Sequence, residues 1–304
     1  MKITVLMSTY NGTKYISQQL DSILNQKFNG ELDILVRDDG SSDGTQAILD
    51  KYQKEHKNFK WYQGENKKPA KSFWELLSKV SGSDFYSFAD QDDVWDLDKL
   101  QIAVDSLLTL NQNNPLLYMC DARVVDQDLN VISNEFAVKD IPIDYPKSLM
   151  NNICAGCTYV FNEHARKLAS EYDPEKYAMK MHDWKLYTIV LCFGEIFFDH
   201  IAHMSYRQHG DNAVGAIKSK LHHYIDLLKH DRDPKEFFVR KNNALGLEAA
   251  YGDKMSEENR YLTHLIAHYD EDKKLKKALL KDKRFKYSRK QYWFFKHRIK
   301  KNRF

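Results

Sequence analysis

The chain has 304 residues, a length that favours one large α/β domain with an appendage, or two domains. Hydrophobic residues make up 42% of the sequence and aromatic residues 13%, which excludes general disorder, while 6 Pro and 12 Gly exclude a collagen-like architecture. The formal net charge of +3 conceals an acidic body and a basic tail, because residues 271–304 contain fifteen Lys and Arg against three Asp and Glu.

The first hundred residues alternate short apolar segments with amphipathic ones. Strands are predicted at 3–7, 33–36, 59–62 and 84–89, and helices in the segments 16–24, 47–52, 73–80 and 100–107. The third helix rests on the i, i+3, i+4, i+7 spacing of its apolar residues. This alternation predicts a parallel sheet with helices on both faces.

The pattern is mixed from about residue 115 to 210. A strand is predicted at 116–120, a hairpin over 123–132, a helix through Trp184, Tyr187 and Leu191, and a late strand at 201–206. Beyond residue 215 the sequence is typical of helices to its end.

The apolar segments are too short for a membrane span, and the first residues lack the apolar region of a signal peptide. The sequence therefore predicts an intracellular protein. Its four cysteines fit that compartment as reduced core residues. Cys154 and Cys157 have the spacing of a metal or redox pair, but no second such pair accompanies them, so a packing role is favoured over a zinc or redox role.

Acidic loops follow two of the predicted strands. Asp38 and Asp39 follow the second strand, and Asp90, Asp92 and Asp93 follow the fourth. Ligands of open parallel sheets bind beyond the carboxyl ends of the strands. Clustered carboxylates at such an end favour Mg²⁺ or Mn²⁺, with substrate phosphates completing the metal shell. The alternative is a solvated turn that caps the next helix.

Neither the glycine motif of dinucleotide-binding folds nor that of P-loop proteins occurs. Instead, segments 5–12 (VLMSTYNG), 37–45 (RDDGSSDGT) and 88–95 (FADQDDVW) together resemble the signature of family 2 inverting glycosyltransferases with the GT-A fold. Segments 152–157, 182–184 and 206–212 are similar to later motifs of that family, in the same order. The resemblance covers about residues 1–215.

The resemblance implies a GT-A fold, a Rossmann-like and mostly parallel sheet with helices on both faces. The nucleotide-sugar-binding and catalytic domain would comprise residues 1–215, and residues 216–304 would form a helical, basic carboxy-terminal region. It also implies metal-dependent inverting transfer of a sugar with Mn²⁺ or Mg²⁺.

Site residues follow from the matching motif positions. The resemblance implies nucleotide-sugar contacts for Ser8, Tyr10, Asp39 and Asp90, metal contacts for Asp90, Asp92 and His209, and a general-base role for Asp183. A carboxylate such as Asp39 can accept the N3–H of uracil or thymine.

Each assignment has a structural alternative. Asp39 could serve only a loop turn, and His209 could bond only to backbone. Asp183 could be a helix cap, and the dipole at a helix start would weaken it as a base. The roles of His182 and Asp93 stay open, and His203 is the weaker histidine candidate.

The motifs are most similar to those of bacterial rhamnosyltransferases of polysaccharide assembly, which implies dTDP-L-rhamnose as donor and a lipid-linked glycan as acceptor. A UDP-hexose or UDP-N-acetylhexosamine donor is the alternative. A sugar-nucleotide pyrophosphorylase is a further class, but it would carry a Gly-rich basic loop after the first strand. A catalytically inactive membrane scaffold is the non-enzyme alternative.

The basic tail carries an aromatic stripe. Phe285, Tyr292, Phe295 and Ile299 share one helical face, with Lys and Arg on the others. This pattern predicts an interfacial helix on anionic lipid, and hence a cytoplasmic protein peripheral on the inner face of the cell membrane. A helix docked on the protein itself is the alternative, whereas nucleic-acid binding lacks a recognition motif.

Overall fold

A computed structural model describes residues 1–136, 142–209, 237–286 and 289–304, with residues 289–291 described for their backbone. Its strands are β1 (Lys2–Thr9), β2 (Glu31–Asp38), β3 (Phe59–Gln63), β4 (Phe85–Ala89), β5 (Val94–Trp95), β6 (Leu116–Val125), β7 (Val131–Ser133), β8 (Val160–Asn162) and β9 (Glu195–Arg207). Its α-helices are α1 (Ile16–Leu24), α2 (Thr45–Glu55), α3 (Lys68–Lys79), α4 (Lys99–Leu108), α5 (Tyr145–Ser148), α6 (Glu163–Ser170), α7 (His182–Phe193), α8 (Val239–Tyr251), α9 (Glu257–His268), α10 (Lys273–Lys281) and α11 (Arg289–Lys300).

The strands form one sheet in the order β3-β2-β1-β4-β8-β6-β9-β5, with β7 paired to β6. Strands β1 to β4 pair in parallel, as the alternating pattern predicts. The sheet is mixed beyond β4, because β8 lies antiparallel to both of its neighbours while β6 and β9 run parallel. The predicted α/β architecture is confirmed, and its parallel part is the half that bears the first three motifs.

The register brings the first two acidic loops to one edge of the sheet. Thr9 at the end of β1 pairs with Asp38 at the end of β2, and Met7 pairs with Ala89 at the end of β4. The residues that follow these strands therefore emerge side by side. This is the edge at which open α/β sheets bind their ligands.

Two hydrophobic clusters cover the two faces of the sheet. Along β1, Val5 and Met7 belong to one cluster and Leu6 to the other, as expected for alternating side chains. The cluster around Leu6 also contains residues of the carboxy-terminal helices, among them Leu247 and Leu265. The predicted domain boundary at residue 215 lies outside the described residues, so the division into two domains stays a prediction.

The predicted helices and strands of the first 110 residues are present, as are the β6–β7 hairpin, α7 and β9. The sequence analysis missed β5, β8, α5 and α6. Strands β5 and β8 contain two and three residues, too few for an alternating pattern, and α5 contains a single turn. Within the described part, residues beyond 237 are largely helical, as predicted.

The aromatic stripe of the tail packs on the protein. Phe285, Phe295 and Ile299 are buried in the same cluster as α9, and Tyr292 packs against it. The docked-helix alternative therefore describes the stripe, which is not free to insert into lipid. Trp293 lies on the opposite side of α11, with 60% of its surface exposed. Among the described residues, no helix combines the length and apolar character that crossing a bilayer requires.

Candidate active site

The loop after β1 is held by the acidic loop after β4. The Gln91 side chain accepts a hydrogen bond from the Tyr10 amide at 2.9 Å and donates one to the Tyr10 carbonyl at 3.1 Å. The phenol ring of Tyr10 is left exposed, and its predicted contact with a nucleotide-sugar stays a prediction. A Cβ atom on Gly12 would lie 2.5 Å from the Gln91 oxygen, so glycine is required beside this contact.

Ser8 and Asp39 have internal partners. The hydroxyl of Ser8 lies 2.6 Å from that of Ser72 on α3. Asp39 is almost completely buried, pairs with the Arg37 guanidinium and accepts hydrogen bonds from the backbone amides of Lys67 at 2.9 Å and Lys68 at 3.0 Å. These contacts join the loop after β2 to the start of α3. They differ from the local loop turn weighed for Asp39, because the amides belong to a distant segment, and a base contact by Asp39 stays a prediction.

The three aspartates after β4 have different surroundings. Asp92 lies 2.7 Å from the Nε2 atom of His209. Asp93 is fully buried; one of its oxygens accepts a hydrogen bond from the Arg207 amide at 3.1 Å, and the other has no partner among the described residues. Ligand atoms of Asp90, Asp93 and Cys157 lie within 4.8 Å of one another.

Electrostatics favours a cation at these aspartates. Burial and the charge of Asp92 raise the pKa of Asp90 to about 7, and burial with the same neighbour raises the pKa of Asp93 well above its usual range. Burial also raises the pKa of the Cys157 thiol, which keeps it a weak ligand. The unpaired Asp93 oxygen and the crowded carboxylates fit a hard divalent ion such as Mn²⁺ or Mg²⁺.

Lys99 is a buried cation whose charge interacts with Asp90 and Asp93. Its ammonium donates a hydrogen bond to the Cys157 carbonyl at 3.0 Å and lies 3.4 Å from the centre of the Trp95 ring. Burial lowers the pKa of Lys99 to about 8. Lysine therefore offsets part of the carboxylate charge without forming a hydrogen-bonded pair with an aspartate in the described part of the chain.

Residues at the end of β9 and just beyond it contact the acidic loop. Arg207 donates from Nε to the Asp92 carbonyl at 2.7 Å, and its guanidinium lies 4.5 Å from the centre of the Tyr15 ring. His209 packs on the same ring at 4.9 Å. Sequence analysis selected His209 but missed Arg207, although both belong to segment 206–212. The weaker candidate His203 pairs with Asp199 on its own strand.

Asp183 occupies the first turn of α7 and is buried. Its carboxylate accepts hydrogen bonds from the amides of Trp184 at 2.6 Å and Gly156 at 3.0 Å. Burial nevertheless raises the pKa of Asp183 to about 6, because desolvation outweighs these two hydrogen bonds. The expected weakening of the base by the helix start is thus overcome, and the pKa suits proton transfer near neutral pH.

Asp183 and the acidic loop are neighbours. The charge of Asp183 contributes to the raised pKa of Asp90, after burial and the charge of Asp92. Gly156 makes room for this arrangement, because a Cβ atom there would lie 2.8 Å from the His182 ring and 3.0 Å from Asp183. The charge of Asp183 therefore reaches Asp90, one of the predicted metal ligands, while the roles of these residues stay predictions.

His182 is a packing residue. Its ring stacks on Phe73 at 4.1 Å and meets the edge of Phe88 at 4.8 Å, and neither ring nitrogen has a hydrogen-bond partner in the described ranges. Burial lowers the pKa of His182 to about 3, which keeps the ring neutral. Cys120, Cys154 and Cys157 are free and buried, as predicted for core residues, whereas the fourth cysteine, Cys192, is free but only partly buried.

The fold and the site define a class: an α/β protein of GT-A type with carboxylates at the carboxyl edge of its parallel strands. Comparisons with known proteins identify the family, because residues 4–132 match Glycosyl transferase family 2. The dTDP-rhamnosyl transferase RfbG of Shigella flexneri is 30% identical over 224 residues, which cover 69% of this chain and 74% of that protein. The chain therefore belongs to glycosyltransferase family 2.

Other relatives differ in their sugars. The GalNAc(5)-diNAcBac-PP-undecaprenol beta-1,3-glucosyltransferase of Campylobacter jejuni is 27% identical over 237 residues, covering 75% of this chain and 72% of that protein. The structure of S. aureus TarS 1-349 with UDP-GlcNAc has a TM-score of 0.58 at 18% identity, and it covers all of this chain and 90% of TarS 1-349. That likeness bears on the fold alone.

Proposed function

We propose that the protein is a metal-dependent inverting glycosyltransferase that transfers L-rhamnose from dTDP-L-rhamnose to a hydroxyl of a lipid-linked glycan in bacterial polysaccharide synthesis. The observation that carries the proposal is the juxtaposition of a buried carboxylate, Asp183, with the acidic loop of Asp90, Asp92 and Asp93. Such a pair supplies a proton acceptor and a cation site on one sheet edge.

Asp183 acts as the general base. Inverting transfer requires the acceptor hydroxyl to attack the anomeric carbon opposite the leaving diphosphate, and a carboxylate removes the hydroxyl proton as the new bond forms. Two backbone hydrogen bonds fix the orientation of Asp183, and its pKa of about 6 leaves it ionised at neutral pH yet basic enough to accept the proton.

Asp90, Asp92 and His209 would hold the metal ion; Asp93, oriented by the Arg207 amide through one oxygen, would present its other oxygen to the same ion. Bound Mn²⁺ or Mg²⁺ supplies positive charge for the departing diphosphate. Asp90 would also contact the nucleotide-sugar. Tyr10 and Ser8 border the same edge and would contact the base and ribose, with Gln91 fixing the backbone of Tyr10.

The similarity to a dTDP-rhamnosyl transferase supports the donor. The names of two other relatives support the acceptor, since they act on glycans linked to undecaprenol diphosphate. A UDP-hexose or UDP-N-acetylhexosamine donor is the second candidate. It is favoured by the name of the E. coli relative WfgD, a UDP-Glc-dependent glucosyltransferase 27% identical over 158 residues.

With a lipid-linked acceptor, the protein would act as a peripheral protein at the cytoplasmic face of the cell membrane. The helical tail supports peripheral attachment, because Trp293 and many tail lysines stay exposed after the aromatic stripe is buried. Exposed Lys residues near an anionic surface contribute about 1 kcal/mol each. Attachment would then use the outer, basic face of α10 and α11, not the buried stripe.

Product stereochemistry tests the proposed reaction. The protein is incubated with dTDP-L-rhamnose, Mn²⁺ and a synthetic undecaprenyl-diphosphate glycan, and the new linkage is examined by NMR. Inversion at the anomeric carbon is expected. Retention of configuration would contradict the single-displacement mechanism, and transfer solely from UDP-sugars would replace the donor while keeping the class.

A further inference from the structure

A second cluster of metal-binding side chains lies in the carboxy-terminal helices. His264 and His268 are one turn apart on α9, and Glu248 on α8 faces both. The Nδ1 atom of His264 lies 2.8 Å from one Glu248 oxygen, and the Nε2 atom of His268 lies 2.7 Å from the other. Ligand atoms of the three residues all lie within 4.8 Å of one another.

The donor set matches zinc better than magnesium. Two imidazole nitrogens and one carboxylate oxygen are ligands that Zn²⁺ accepts, whereas Mg²⁺ demands oxygen. His264 and His268 stand with ring centres 4.5 Å apart, and both are partly exposed, as is Glu248. Water can therefore complete a tetrahedral shell.

A second carboxylate orients one of the histidines. The remaining ring nitrogen of His268, Nδ1, lies 2.9 Å from Glu271, just beyond the end of α9. Histidines that bind metals usually donate their other N–H to a carboxylate, which fixes the tautomer and increases the basicity of the ligand. This contact is independent of the three-residue cluster and has the arrangement expected around a metal-bound imidazole.

A network without metal requires one protonated ring, because both ring nitrogens of His268 face carboxylates, Glu248 and Glu271, and can donate to both only in the charged form. A divalent ion instead uses the carboxylate and both nitrogens at once. We propose that Glu248, His264 and His268 bind a zinc-class divalent ion that joins α8 to α9, with Glu271 positioning His268.

Metal titration tests this second site. Three tag-free proteins are stripped with EDTA, dialysed and titrated calorimetrically with Zn²⁺. They are the wild type, the double variant His264→Asn/His268→Asn, and the control His164→Asn, whose histidine is exposed on α6. Loss of one zinc equivalent and of zinc-dependent thermal stabilisation is expected in the double variant alone. Equal zinc binding by all three proteins would overturn the proposal.

Cobalt gives a second measurement that needs no variant. Wild-type protein loaded with Co²⁺ is expected to show the visible absorption of a tetrahedral nitrogen–oxygen site, and its absence would contradict the proposal even if a variant failed to fold. Glu271→Gln should weaken Zn²⁺ binding about tenfold, while the exposed Glu257→Gln should not. Metal-dependent nucleotide binding should survive the loss of this cluster, so the two proposals fail separately.

Discussion

The surroundings of Asp183 decide its chemical role at the scale of single residues. Two backbone amides hold the carboxylate, yet burial raises its pKa to about 6. A helix cap exposed to water would have a lowered pKa instead, because the helix dipole and the hydrogen bonds favour the charged form. The buried carboxylate therefore retains the basicity that proton transfer requires.

Asp183→Asn should lower turnover by about 10²–10⁴-fold while nucleotide-sugar binding persists, because the amide cannot accept a proton. The side-chain NH₂ group of the variant also faces a backbone N–H, and two donors facing each other destabilise the fold. Thermal unfolding is therefore measured as well. Turnover by rapid quench and donor affinity by calorimetry check the expectation, with the exposed Asp253→Asn as control. A parallel collapse of donor affinity would make Asp183 structural.

The pH dependence of transfer follows from the same pKa. Only ionised Asp183 accepts the proton, so kcat/KM is expected to rise with pH and reach half of its plateau near pH 6. A profile measured at saturating metal should show this acid limb. The limb should vanish from the residual activity of Asp183→Asn, and a limb that persists unchanged would assign it to another group.

Asp92→Asn should abolish both transfer and metal-dependent nucleotide binding, since Asp92 is paired with His209 at the proposed metal site. Asp98→Asn, six residues on, is the matched control because its exposed side chain caps nothing at the start of α4. Titration of nucleotide with Mn²⁺ or EDTA measures the effect. Full activity of the Asp92 variant would remove the metal assignment.

At the scale of elements, α11 has two different sides. Phe295→Ala should lower the free energy of unfolding by about 3–5 kcal/mol, because it empties a buried aromatic position. Trp293→Ala, on the exposed side, should change it by less than about 0.5 kcal/mol. Denaturant unfolding of both variants measures these differences.

The Trp293→Ala variant also tests the proposed membrane attachment. Trp293→Ala should weaken sedimentation with anionic liposomes although the protein stays folded, and added salt should weaken the binding of both proteins because the lysines remain. Liposomes of neutral lipid serve as the control. If Trp293→Ala and wild type bind anionic liposomes equally, the outer face of α11 is not the contact surface.

Elements differ in how well the sequence predicts them. The apolar segments of β1, β2 and β4 are buried on both faces, so each is a continuous run that marks a strand. Strand β8 has three residues and is defined by its antiparallel partners, which no local pattern reveals. The stripe of α11 was visible, but amphipathicity does not distinguish a protein core from a lipid surface.

The position of the candidate site could also be predicted from the sequence, whereas its detailed contacts could not. The carboxyl ends of parallel strands lie at one edge of the sheet, so the position of both acidic loops at that edge could be predicted from the alternation of strands and helices. Loop geometry decides which partners orient the side chains, and no local pattern reveals it. Gln91 bonds to Tyr10 and Arg207 to Asp93 across more than eighty residues of sequence, and Arg37 at the end of β2 pairs with Asp39, two residues further on. The sequence therefore locates the site but not the partners that orient its side chains.

For the whole molecule, the charge distribution and the fold support one arrangement. The acidic sheet edge fits a metal and a diphosphate, and the apolar stripe of the basic tail packs into the hydrophobic cluster on one face of the sheet. The carboxy-terminal helices share a core with α7, which carries Asp183. Docking of the tail on a membrane would therefore hold the base close to a lipid-linked acceptor.

The most direct test of the central claim is nucleotide-sugar binding by the wild-type protein. Calorimetry with dTDP-L-rhamnose, dTDP, UDP-glucose, UDP-galactose and UDP-N-acetylglucosamine is performed with Mn²⁺, Mg²⁺ or EDTA. Metal-dependent binding of dTDP-L-rhamnose, stronger than that of each UDP-sugar, is the predicted result. Folded protein that binds none of these nucleotides in the presence of metal would contradict the account and favour a catalytically inactive scaffold.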